Sequence, residues 1–256
     1  MKAIILKVSD LGEKDRLVTL LTPGRGKMNV VARGARKPHS RLMGVVLPFQ
    51  YVDLLLWRGR SLDGISQGEV LESFPLLRED LQRMSWASLG CEFSERLTRD
   101  DDDHGFFQLL LAYQRLLLKA SGPQLPLCAS WLMLQGLIRT GYGPQLDQCM
   151  HCGRALNDAS DSRNIVFDAA GGVLCPDCAQ RSPVHPSGSR QTVSPAVLGC
   201  LRFLRHAAAA SVLRMKLAAD GRVLLHLLEH FVQWNLDVRL RTLDFMNSTR
   251  LAEEEG

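Results

Sequence analysis

Apolar and polar positions alternate with a short period over the first ~75 residues, the spacing of half-buried strands. Segments 2–8 (KAIILKV), 16–22 (RLVTLLT) and 27–33 (KMNVVAR) are short and rich in β-branched residues. Segments 49–57 (FQYVDLLLW) and 62–71 (LDGISQGEVL) follow. Pro23-Gly24-Arg25-Gly26 and Arg58-Gly59-Arg60 carry turn chemistry between them. Pro48 suits the beginning of a strand, where a missing N–H is harmless. Five short strands predict a small closed barrel, because closure leaves no exposed edge.

The period then lengthens. Leu77, Leu81 and Met84 form one helical stripe, and Trp86, Leu89, Phe93 and Leu97 a second. Two stripes on one helix predict burial on more than one side. Segments 106–118 and 127–139 read as further helices, the latter stopped by Thr140-Gly141-Tyr142-Gly143-Pro144. Residues 147–190 are polar, with few apolar runs. After Ser194-Pro195, an N-cap with proline in the first turn, helical spacing returns over 197–210 and 222–240. Residues 251–256 are expected to fray.

Composition narrows the class. The chain has 256 residues, 46% hydrophobic and 23% charged, which fits an ordinary folded protein and excludes a collagen-like or disordered one. No apolar run approaches the ~18 residues of a membrane span, and MKAIILKVSD lacks a cleavage site, so a cytoplasmic protein without membrane contact is expected. The net charge of +4 says little, but its distribution says more. Between residues 24 and 42 stand Arg25, Lys27, Arg33, Arg36, Lys37 and Arg41, with no acid. Such a stretch, much of it in a loop between the third and fourth strands, can neutralise phosphates and release counterions without reading bases.

Seven cysteines occur. Cys91, Cys128 and Cys200 stand alone in apolar helical surroundings and read as packing residues. The other four form two knuckles, Cys149-Met150-His151-Cys152 and Cys175-Pro176-Asp177-Cys178, separated by 22 residues. Two thiolates two residues apart reach one ion from a tight turn, and four sulfurs suit tetrahedral Zn²⁺. A closed four-sulfur site has no open position, so it folds a module rather than catalyses. Phe167 to Leu174 reads as a strand pair around Ala170-Gly171-Gly172, and His151 as an exposed residue rather than a fifth ligand.

Other motifs weigh less. His226-Leu227-Leu228-Glu229-His230 has the spacing of an inverted zinc peptidase, but its surroundings are those of a packed helix and no third ligand is evident. Pro23-Gly24-Arg25-Gly26-Lys27 lacks the spacing of a phosphate loop, with Met28 in place of the hydroxyl. The acidic run 100–103 reads as a solvated loop. No Ser/His/Asp or Cys/His set can be picked out, so the chain is not expected to be an enzyme. An RNA-binding or transcription-associated module, sharing the basic loop and the zinc, is the alternative, and a hydrolase built on His226, Glu229 and His230 is a third.

The stretch 31–42, the Leu47-Pro48-Phe49 step, the Gly-Arg-Ser-Leu segment at 59–62 and the cysteine module occur in an order that resembles the bacterial RecO family of DNA repair mediators, over essentially the whole chain. The resemblance implies an α+β multidomain protein. Residues 1–75 would be a five-stranded OB-fold β-barrel that binds nucleic acid. An α-helical domain in two parts, 76–146 and 192–245, would carry an inserted four-cysteine zinc module, 147–182. It implies binding of single- and double-stranded DNA, annealing of complementary strands, and loading of RecA onto strands coated by single-strand binding protein (SSB), with RecR and sometimes RecF. By position Arg33, Arg36, Lys37 and Arg41 match the family's basic loop, with Arg25 and Lys27 in the adjoining turn. It also implies that the acidic SSB tail docks on the helical domain, for which Arg139, Arg202 and Arg205 are candidates.

Overall fold

Five strands open the chain: β1 (Lys2–Leu11), β2 (Asp15–Thr22), β3 (Gly26–Ala32), β4 (Tyr51–Trp57) and β5 (Asp63–Glu72). They close into a barrel, as five short strands predict, in the order β1-β2-β3-β5-β4, which agrees with the OB fold that the resemblance implies. The computed structural model describes residues 1–100, 102–156, 165–181, 190–215 and 220–254. β1 closes the barrel against β4, pairing Lys2 with Asp53 and Ile4 with Tyr51. β3 runs parallel to β5 through Val30–Asp63 and Val31–Gly64, and the other contacts are antiparallel. Ala3, Ile5, Val18, Leu20, Val30, Val52, Leu54 and Ile65 fill the interior. Ala35, Val45 and Val46, from the long connection between β3 and β4, complete that core. The basic connection is therefore anchored by its own apolar residues.

The chain divides into two compact units, one of Met1–Lys119 together with the chain from Thr242 on, the other of Ala120–Arg241. In the first, the helix expected across 77–97 is broken. α1 (Leu76–Glu79) ends at Asp80, whose extended backbone stops it and whose carboxylate accepts the Arg83 N–H at 2.9 Å to start α2 (Leu81–Leu97). The first stripe splits accordingly: Leu77 is buried and Leu81 is 70% exposed. Trp86, Leu89 and Phe93 are buried as expected. α3 (Phe106–Lys119) packs on α2, with the Tyr113 hydroxyl donating to the Trp86 carbonyl at 2.9 Å. The acidic run is also more than a solvated loop. Asp103 is buried and accepts N–H groups from Gly24, Gly105 and Phe107, tying the β2–β3 turn to the start of α3.

In the second unit α4 (Leu125–Arg139) is buried along nearly its whole length, as an all-round apolar helix must be. The small sheet has the order β7-β6-β8, from β6 (Ile165–Asp168), β7 (Gly172–Leu174) and β8 (Arg190–Val193). The strand pair was legible in the sequence; β8, beyond the cysteine spacing, was not. α5 (Pro176–Arg181) follows the second knuckle. The helix expected over 197–210 is two pieces, α6 (Pro195–His206) and α7 (Ala209–Val212). Gln135 on α4 donates to the Leu204 and Arg205 carbonyls and Trp131 to that of Ala207, so the free end of α6 is satisfied where it stops. α8 (Gly221–Leu236) ends four residues earlier than the spacing suggests, at Asp237 in a left-handed conformation. α9 (Arg241–Glu254) returns to the first unit, its Thr242 N–H bound to the Glu92 carboxylate at 2.8 Å. Its backbone is helical to Glu254, so the helix runs into the segment expected to fray; residues 255–256 lie outside the described residues.

Candidate nucleic-acid interface and metal centre

Register decides what meets at one end of the barrel. β2 begins where β3 ends, with Arg16 opposite Ala32. Val31 lies beside Gly64, and Gly64 opposite Trp57. Hence the β1–β2 turn, the β3–β4 connection and the β4–β5 turn converge there. Arg36 shows it directly: its N–H donates to the Lys14 carbonyl at 3.0 Å and its guanidinium to the Gly12 carbonyl at 2.8 Å. Gly34, at φ +66°, gives its N–H to Asp15 at 2.7 Å, and this carboxylate holds the start of the connection. Arg33, Arg36, Lys37 and Arg41 are all exposed. Arg36 makes one solvent-exposed ion pair, 3.3 Å to Asp10. Lys37 and Arg41 make no ion pair among the described residues.

Arg25 and Lys27 are not part of this group. They lie at the opposite end of the β2–β3 hairpin, about 20 Å along β3 at ~3.3 Å per residue. There Lys27 donates its N–H to the Arg99 carbonyl at 3.1 Å and its ammonium to the Glu95 carbonyl at 3.5 Å. Contiguity in sequence misleads here, because a strand carries its two ends to opposite rims.

Sequence reading missed the residues that the β4–β5 turn brings to the basic end. Trp57 is 37% exposed, with the Arg33 guanidinium 4.6 Å from its ring centre. Arg58 and Arg60, beside it, are exposed. The signal was present as an aromatic next to two arginines in a turn, but only strand pairing attaches it to Arg33.

The four paired cysteines converge in the second unit. Their sulfurs all lie within 4.8 Å of one another, and Cys152 and Cys175 are 3.9 Å apart. A tetrahedral ion with ~2.3 Å bonds to sulfur spaces its ligands by about 3.8 Å, so the four residues can hold a metal ion. Each knuckle is a tight turn, closed by Gly153 N–H to the Cys149 carbonyl and Ala179 N–H to the Cys175 carbonyl, both 2.9 Å. Burial works to raise the Cys149 thiol, but N–H groups from Cys152, Cys175 and His151 prevail and bring it down to about 6. Proton sharing with Cys175, with burial next, pushes Cys178 up to about 12. Four crowded sulfurs resist ionising together, and a cation among them removes that conflict. His151 is exposed.

The knuckles are held from three sides. The Gly172 backbone, at φ +137°, lies against Gln145, where an added Cβ would fall 2.1 Å from the Gln145 carbonyl oxygen. Asn235 on α8 donates to the Ala169 carbonyl at 2.6 Å, and Phe231 packs on Phe167 at 5.9 Å. Arg202 on α6 donates to the Leu146 carbonyl at 3.0 Å and to that of Leu156. Arg205 makes a two-pronged ion pair with Asp147, 2.8 and 3.0 Å, and holds that carboxyl below the usual carboxylate range. Arg190 pairs with buried Asp168 at 2.7 Å across β6 and β8.

The remaining motifs gather no further cluster among the described residues. Cys91, Cys128 and Cys200 are buried, and burial pushes the Cys128 thiol up to about 12. His226 and His230 stack edge to face at 4.3 Å on α8. Among the described residues the paired cysteines are the one cluster of three or more metal-binding side chains, so no third ligand joins those histidines. No described helix is long and apolar enough to cross a membrane.

Residues 1–74 match the family described as Recombination protein O N terminal, and residues 78–244 the one described as Recombination protein O C terminal. The chain belongs to the RecO family. A DNA repair protein RecO of Roseiflexus sp. (strain RS-1) is 40% identical over 206 residues, covering 80% of this chain and 68% of that protein. That of Desulforudis audaxviator (strain MP104C) is 37% identical over 248 residues, 96% of this chain and 94% of that protein. The two RecO matches meet between residues 74 and 78, just beyond the barrel's last strand and at the start of α1. RecO relatives carry the name of DNA repair proteins, and the OB-type barrel and the cysteine cluster lie within the matched segments.

Proposed function

We propose that this RecO-family chain is a non-enzymatic mediator of DNA repair and recombination. It binds single- and double-stranded DNA, anneals complementary strands and helps load RecA onto SSB-coated DNA together with RecR, with RecF as a further partner. The observation that carries this is the convergence of Arg33, Arg36 and Lys37 on the loop end of the barrel, with Arg41 exposed further along the same connection and none of them held by a buried acid. Two strands repel through their phosphates. A cluster of exposed cations screens that repulsion and holds both strands close, without making or breaking a bond. Arg25 and Lys27, at the other rim, form a second and smaller contact.

Cys149, Cys152, Cys175 and Cys178 would hold a structural Zn²⁺, which supplies folding energy to the module and leaves no open position for substrate. For the acidic SSB tail, Arg139 is the cation we assign. It is exposed at the end of α4 with its guanidinium on Gln135 of its own helix, whereas Arg202 and Arg205 are engaged by Asp147 and backbone carbonyls. The protein would act in the bacterial cytoplasm, on the nucleoid.

The test is annealing of complementary fluorescent oligonucleotides coated with cognate SSB, compared with SSB lacking its last residues. Annealing that requires the intact tail is expected. Folded protein that binds RNA tightly and anneals no DNA would overturn this reading in favour of an RNA-binding module.

A further inference from the structure

We propose that Trp57 and Arg33 form a stacking platform for an unpaired base, so that the barrel grips a single strand by ring as well as by phosphate. The platform rests on the nucleic-acid reading above and adds the chemical feature that tells single strands from duplex.

Trp57 sits where an indole has little reason to be exposed. Trp86 and Trp131 are 8% and 4% exposed, whereas Trp57, ending β4, and Trp234 on α8 are each 37% exposed, and of these two it is Trp57 that lies beside Arg33, Arg58 and Arg60. Its placement is built in. The residue opposite is Gly64, where an added Cβ would lie 2.2 Å from the indole Cε2, so the ring lies against bare β5 backbone. Any side chain there would displace it. The Arg33 guanidinium lies over the ring, 4.6 Å from its centre. A guanidinium is a flat cation that stacks on indole much as a base does. Arg33 thus marks a ring face that accepts a flat partner, and Arg33 is itself exposed.

The surrounding charge selects the partner. Arg58, Arg60, Arg36 and Lys37 are exposed on the same rim. The carboxylate within this turn, Asp63, accepts the Gly59 N–H at 3.2 Å. Arg33 makes no ion pair among the described residues. A ligand that offers both a π face and closely spaced anions is a single strand with unpaired bases. When a base arrives, Arg33 swings from the indole to an adjacent phosphate, and the base takes its place. In duplex the bases stack on each other, so the platform has nothing to hold. Pairing of two strands then removes the stacking contact while the phosphate contacts remain, which favours turnover of the annealed product.

The experiment compares three probes of equal length on the full chain: oligothymidylate, an abasic oligonucleotide of the same backbone, and duplex. Trp57→Ala is expected to weaken oligothymidylate binding about 5- to 150-fold, the range for loss of one stacked base. It should leave the salt slope, the abasic probe and the duplex within about twofold, because no phosphate contact is lost. Trp57→Phe should recover most of the affinity. In the wild type, tryptophan emission that disappears in Trp57→Phe should be quenched by oligothymidylate and not by the abasic probe. Equal losses on all three probes, or unchanged oligothymidylate binding, would overturn the platform. Should Trp57→Ala not fold, equal quenching by the abasic probe and oligothymidylate would overturn it instead. Wild-type protein that binds none of the probes would refute the nucleic-acid reading itself.

Discussion

Arginines crowd two regions of this chain, and they do different work in each. At the loop end of the barrel Arg33, Arg36 and Arg41 stand on a connection whose own Ala35, Val45 and Val46 anchor it, and their head groups point to solvent or to an exposed neighbour. Around the cysteine module Arg190, Arg202 and Arg205 reach inward to Asp168, Asp147 and the carbonyls of Leu146 and Leu156. Arginine suits both tasks because its planar fork matches carboxylate, carbonyl and phosphate alike. What separates the two groups is burial: the Arg190, Arg202 and Arg205 side chains are 14%, 17% and 23% exposed, whereas Arg36 is 36% exposed and its partners, Asp10 and the Gly12 carbonyl, lie at the surface. The outer arginines stay at the surface, and the inner ones add polar ties to a small cysteine-bearing region whose own core is Phe167, Val173, Leu174 and a few neighbours.

The sharpest way to break this comparison is to remove one of the four clustered cysteines. Cys175→Ser should collapse hydrogen-exchange protection across β6, β7 and the two knuckles while leaving the barrel strands protected. A structural zinc, as proposed for these cysteines, would supply about 10–16 kcal/mol of binding energy, as it does in zinc-finger peptides. Protection unchanged in both regions would mean that the arginine struts suffice without metal.

A smaller effect probes the outer arginines. Arg36→Ala with Lys37→Ala should weaken DNA binding across all sequences and flatten the plot of log K against log salt by about 2, one per phosphate contact. Thermal stability should hardly change, since the exposed Arg36–Asp10 pair is worth no more than about 1 kcal/mol. An unchanged slope would remove this connection from the DNA interface.

The least effect concerns an inner pair. Arg205 depresses the Asp147 carboxyl in the folded state, so the pair contributes fully above the unfolded value of about 3.9 and is lost as pH falls through the lower folded value. Asp147→Asn should therefore cost stability at pH 6 and nothing near pH 2, read from denaturant midpoints at both. Asp147 is about half exposed, so the loss should stay under about 1 kcal/mol. A cost that persists at pH 2 would assign the effect to the hydrogen bonds rather than to the charge.

Much of the barrel was legible from local chemistry. Pro23-Gly24 and the Arg58-Gly59-Arg60 turn punctuate the strands, and closure follows from five strands needing covered edges, although β1 and β2 are buried in continuous runs rather than alternately. The two Cys-x-x-Cys pairs announced their own convergence. The helical boundaries were harder to see. Asp80 was hidden inside a continuous stripe because a capping carboxylate interrupts the backbone without interrupting the apolar spacing. The stop of α6 depends on Gln135, about 70 residues away in the chain. Asp103 looked like one acid in a solvated run, and its burial depends on the Gly24 turn arriving from the barrel.

The sequence by itself determined the strand period, the turns, the paired cysteines and the supply of cations. These depend on torsional preference and on chemistry within a few residues. The tertiary structure alone decided which cations remain free, that Arg25 and Lys27 part from Arg33, and that Trp57 meets Arg33. Those outcomes follow from register: Val31 beside Gly64 and Gly64 opposite Trp57 join positions 26 residues apart in the chain. Pairing across a closed barrel is set by the packing of the whole interior, which no local window of the chain contains.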